Sequence, residues 1–163
     1  MTPLDAFRTH LGPLGWDDLV TGYDFGFLAM TDIQAEAPGD GPAVQRLRDL
    51  AGPALATFEA HLWAACAEAV GKTPRPGSTR WSSAQDRWRE ALLRETLAAE
   101  STPRQLARRV ERLYEQVGCP EDMLAMLRPS QTWSGIPATV DPMAVQHFLD
   151  RTQRGARRFG AAS

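Results

Sequence analysis

The stretch from Trp88 to Leu127 carries three helices with their start and stop signals, and it confines the chain to a helical fold. Trp88, Leu92, Leu93 and Leu97 recur at helical spacing and make one wide apolar stripe. Thr102-Pro103 then starts a second helix, a capping hydroxyl followed by a residue with no backbone donor to leave unpaired. Leu106, Val110, Leu113, Tyr114 and Val117 line one face of it. Gly118 ends it, because glycine enters the left-handed cap conformation without a Cβ penalty. Pro120 opens the third helix, with Glu121 and Asp122 in the first turn, where the helix dipole favours negative charge.

The same punctuation runs through the rest of the chain. Thr2-Pro3 opens a helix with Asp5 at the capping-box position, and Gly12-Pro13 stops it. Trp16 to Phe25 reads as a second helix, and Thr31 as the cap of a third that Pro38-Gly39 ends. Val44, Leu47 and Leu50 precede a break at Gly52-Pro53. The run then continues through Leu55, Phe58, Leu62, Cys66 and Val70. This is the longest apolar stripe, and it is expected at the centre of a bundle. Ser83 to Asp86 fits a capping box for the helix of Trp88, and Asp141-Pro142 caps the last helix. Runs of β-branched residues alternating with polar ones are missing, and so are hairpin dipeptides between such runs.

The expected fold is therefore all-α, a single-domain irregular bundle of about seven or eight helices. The 163 residues suit one domain, over residues 1–155, and an apolar fraction of 43% supports a core. The loop over 72–79, with its prolines and glycine, is the place for a boundary between two halves. Residues 156–163 read as a flexible basic tail. No leader or membrane span is evident, so a cytoplasmic protein is expected.

Chemistry-bearing motifs are scarce. His10, His61 and His147 have no second histidine or cysteine at ligand spacing, so no metal or other cofactor is expected. There is no Gly-x-Ser-x-Gly elbow. Gly71-Lys72-Thr73 resembles the end of a phosphate loop but lacks the upstream glycine and follows a helix. Cys66 lies in an apolar helix and is expected as a buried free thiol, and Cys119 packs at a turn. No catalytic residue is assigned. The alternative is a ligand-binding or enzymatic site assembled only by the fold, around His61 with Glu59 and His147 with Asp150.

Charge is uneven. Residues 1–79 carry a net −5 and residues 80–163 a net +3, within a total of −2. Asp17, Asp18, Asp24, Asp32 and Glu36 cluster around two short helices and form a candidate landing surface for a basic partner. Trp133, in the polar segment Ser130 to Gly135, is a candidate anchor. In the basic half Arg104, Arg108 and Arg112 share a helix face with Arg109 beside them. Glu111 and Glu115 are expected to neutralise part of that charge, so nucleic acid is not an expected partner.

Two stretches resemble an uncharacterised bacterial family catalogued as domain of unknown function 2247. One is Trp16 to Tyr23 followed by Gly26 and the helix from Asp32. The other is Trp88 to Leu93 with Leu106 to Met123, including Tyr114, Cys119-Pro120 and Asp122-Met123. The family more often has an aromatic where Cys119 stands. The resemblance implies a small helical protein of a kind often encoded beside secreted or contact-dependent toxins. No catalytic residues come with it. The expected function is a non-catalytic, immunity-type inhibitor that binds and occludes a cognate toxin.

Overall fold

The computed structural model describes residues 1–99, 101–127 and 139–160, with 154–160 as helix backbone only. Among these residues there are nine α-helices, two 3-10 turns and no strand. The helices are α1 (Pro3–Leu11), α2 (Trp16–Asp24), α3 (Met30–Glu36), α4 (Pro42–Arg48), α5 (Phe58–Val70), α6 (Thr79–Ala98), α7 (Pro103–Gln116), α8 (Leu124–Leu127) and α9 (Pro142–Gly160). No helix among the described residues is long and apolar enough to cross a membrane.

The chain divides into two compact units, Met1–Trp88 and Arg89–Ser163. The division falls inside α6, and not in the loop over 72–79. That loop precedes a helix whose first turns still supply core residues to the first unit. Trp81, Ala84 and Trp88 are all buried.

In the first unit, α5 packs against α4 and α2, while α3 contacts both α2 and α4. Phe7, Leu19, Ile33, Leu47, Phe58 and Leu62 are fully buried there. Trp88 is the largest of the fully buried side chains. Its ring lies 4.6 Å from that of Phe7 and 5.2 Å from that of Phe27, centroid to centroid. Its indole N–H donates to the backbone carbonyl of Asp18 at 2.9 Å. The ring reaches α2 only because Gly22 has no side chain. A Cβ there would stand 2.5 Å from Cζ2 of Trp88.

The second unit brings α7, α8 and α9 together, with α8 in contact with both of the others. The stripe Leu106, Val110, Leu113 and Val117 is buried as its spacing requires. Arg89 is buried too. Its Nη1 donates to Oδ1 of Asp122 at 2.6 Å, and its guanidinium lies 5.4 Å from the centre of the Phe148 ring.

Several helix ends follow the sequence. Thr2 with Asp5 and Thr102 with Gln105 form reciprocal caps, and Gly118 takes a φ of 81° after α7. The next residue, Cys119, is also left-handed at φ 56°. Its N–H donates to the Tyr114 carbonyl at 2.8 Å, which closes a Schellman-type turn.

Other ends differ. Thr31 lies inside α3, and the cap is Ala29, whose N–H donates to Asp32 Oδ2 at 2.8 Å. Ser83 lies inside α6, because Ser78 serves as the cap by accepting from the Trp81 N–H at 3.2 Å. The Gly52-Pro53 break is a 3-10 turn, Gly52–Thr57, leading into α5. The helix α9 continues to Gly160, through positions expected to belong to a flexible tail. Gly155 costs about 1 kcal/mol relative to alanine but lies within the helix.

Candidate partner-binding surface

The acidic cluster of α2 and α3 does not form one open patch. Asp17 is bound by Arg80 through a paired contact, with Nε to Oδ2 at 2.9 Å. Arg80 is held in turn by the Lys72 carbonyl at 2.8 Å. Asp18 is only 1% exposed. Its Oδ2 accepts from the Gly15 N–H and from Arg87 Nη1, each at 2.9 Å. Glycine at the N-cap has no side chain to offer, so Asp18 reaches back from the third position to satisfy the helix start. Its Oδ1 is buried without a hydrogen-bond partner. Burial therefore raises the Asp18 pKa, against the opposing effects of the Gly15 N–H and Arg87.

Asp32 is half-buried and accepts from the Ala29 N–H at the start of α3, and Glu36 faces Arg8 at 3.4 Å. Of the five acidic residues, Asp24 alone is exposed with no partner among the described residues. The physical reason is local. Aspartates at helix starts satisfy backbone donors, and those that face a neighbouring helix meet its arginines. Trp133 lies outside the described residues.

The residues of the alternative site fall in different places. Glu59 accepts from the indole N–H of Trp63 at 3.2 Å, and His61 is half-buried between them in sequence but on another side of α5. His147 is exposed on α9 and lines a cavity of about 380 Å³ with Asp141 and Arg151. The Asp141 carboxylate accepts from the Met143 N–H, and that of Asp150 from Gln146 Nε2, each at 2.9 Å. Neither His61 nor His147 has a carboxylate in ion-pair reach among the described residues. No group of three potential metal ligands occurs among them either.

Cys66 is a fully buried free thiol packed in α5, and Cys119 is an exposed one. Burial pushes the Cys66 pKa up to about 11, with Asp17 adding to the rise and Arg80 opposing it. That thiol is inert at neutral pH.

The feature the sequence reading missed is the outer face of α5. Phe58, Leu62, Ala65 and Cys66 turn inward, and the helix was expected at the centre of a bundle. Its other side meets solvent with Ala60, Ala64 and half-buried Trp63 and Ala67. Val70 there is 45% exposed. Glu59 and Glu68 flank this strip, and exposed Pro53, Ala54 and Ala56 precede it in the 3-10 turn. The signal was available: an apolar run without the polar third that a solvated helix carries. What the run alone could not show was which side would stay uncovered.

No protein-family model matches the chain, and no curated protein and no solved structure is significantly similar to it.

Proposed function

We propose that the protein is a non-catalytic binding domain of the immunity type, a cytoplasmic inhibitor that occludes a cognate basic toxin. The observation that carries this reading is the outer face of α5. It combines exposed apolar surface, a tryptophan and an acidic rim, the composition of an interface with an apolar centre and a polar edge. Tryptophan is enriched at interaction hot spots, and Trp63 is held in place by its bond to Glu59. A basic partner is favoured because the unit that bears this face, Met1–Trp88, has a net charge of −4. Exposed Asp24 belongs to the same unit. Asp17, Asp18, Asp32 and Glu36 serve the fold and support the reading only through the unit's overall charge. The resemblance noted above supplies the toxin as the kind of partner.

The test is co-expression with the product of the adjacent open reading frame, scored by rescue from toxicity and by co-purification. Rescue with a stable complex is expected. The double variant Ala60→Arg, Ala64→Arg keeps good helix formers while placing bulk and positive charge on the face. It is expected to retain native helicity by circular dichroism and to lose both rescue and complex. Full rescue by that variant would remove α5 from the interface. A wild-type dimer that the variant converts to monomer would show a second copy of this chain on the face, in place of a toxin.

A further inference from the structure

The helix α7 presents Arg104, Arg108, Arg109 and Arg112 to solvent, all four exposed. The sequence places Glu111 and Glu115 close enough to neutralise them, yet the structure does not pair them. None of the four arginines has an acidic partner within ion-pair distance among the described residues. Leu106, Ala107, Val110 and Leu113 hold the opposite side of the helix in the core, so the cationic side is fixed outward. Arg104, Arg108 and Arg112 step along it at about 6 Å intervals and span about 12 Å.

We infer that this arginine row docks the phosphodiester backbone of duplex DNA, a binding activity independent of the α5 face. Arginine is suited to phosphate because its planar fork can donate two parallel hydrogen bonds to one group. A regular row of such forks fits a polymer with regularly repeated anions better than the scattered carboxylates of a protein surface. A duplex is favoured over a single strand because the row carries no exposed aromatic on which a base could stack. Tyr114 is half-buried, on the side of the helix away from the row. The acidic character of the whole chain weakens the attraction without cancelling it. The unit containing α7, Arg89–Ser163, has a net charge of +2. Binding is accordingly sequence-independent, weak at physiological salt and steeply salt-dependent.

The test uses the full chain and a fluorescein-labelled DNA duplex of about 20 base pairs in anisotropy titrations across about 50–200 mM salt. Binding is expected at the low end, with affinity falling about 100-fold across the range, as four phosphate contacts at a slope of about −0.9 each require. Each single Arg→Gln change in the row should reduce that slope by about one. The quadruple variant Arg104→Gln, Arg108→Gln, Arg109→Gln, Arg112→Gln should lose binding while keeping its helicity, since glutamine is also a good helix former. Absence of binding at low salt would overturn the inference. So would unchanged binding by the quadruple variant. Equal affinity for poly-glutamate of matched charge would assign the row to an acidic protein instead.

Discussion

Replacing Gly22 by alanine tests the packing on which the first unit is built. Judged by helix propensity alone, Gly22→Ala should stabilise α2 by about 1 kcal/mol. The structure predicts the opposite. The new methyl would stand 2.5 Å from Cζ2 and 2.9 Å from Cε2 of Trp88, and 2.9 Å from Cδ1 of Leu28. The indole has nowhere to retreat. It is 0% exposed, its faces meet Phe7 and Phe27, and its N–H is tied to the Asp18 carbonyl. Overpacking of this kind costs about 1–3 kcal/mol. Displacing the indole enough to lose its hydrogen bond adds about 1–3 kcal/mol for a buried, unsatisfied donor. After subtracting the propensity gain of about 1 kcal/mol, a net loss of about 1–5 kcal/mol remains, about 3 at the middle of the ranges. For a chain of this size that lowers Tm by about 5–10 °C. Urea and thermal unfolding followed by circular dichroism would measure it. The double variant with Trp88→Phe should show a favourable coupling above about 1 kcal/mol, because the smaller ring makes room for the methyl. A Gly22→Ala protein as stable as wild type, or more stable, would refute the account of how α2 and Trp88 pack.

Three further outcomes follow from other sites. Asp18 has a folded-state pKa raised by burial, so between the ordinary value and the raised one its native state holds more of a proton than the unfolded chain does. As pH falls from the raised value toward the ordinary aspartate value of 3.8, wild type should therefore gain stability relative to Asp18→Asn. Urea unfolding of both proteins across that window checks this, and a wild type that loses stability relative to the variant as pH falls would contradict it. Both carboxylate oxygens of Glu68 accept from the Ala43 N–H at 3.1 Å, which caps α4 from a neighbouring helix because Gly41 has no side chain to do so. Glu68→Ala should cost about 0.5–2 kcal/mol in the same assay, with a smaller loss for Glu68→Gln. Under native conditions a thiol reagent at mildly alkaline pH should modify only Cys119, with Cys66 reacting after denaturation. Mass spectrometry of the labelled chain reads this directly.

Local chemistry alone determined a good deal of this protein. The capping pairs Thr2–Asp5 and Thr102–Gln105, the proline starts at Pro3, Pro103 and Pro142, and the glycine after α7 each act within a turn of their own helix. Because those interactions close over three or four residues, they are legible without a fold. The all-α class and the apolar stripe of α7 are legible for the same reason. Partner choice over long separations is not. Nothing near Asp17 in sequence announces Arg80, and nothing near Asp18 announces Arg87 or the indole of Trp88. Those contacts turned most of an apparent acidic surface into internal bracing. The fate of a face is equally a tertiary matter. The α5 run is apolar on nearly every side, and only the placement of α2 and α4 decides which side they bury and which keeps Trp63 and Val70 toward solvent. On α7 the reverse holds. The spacing of the arginines is written in the chain, but their freedom from Glu111 and Glu115 depends on side-chain positions that the spacing does not specify.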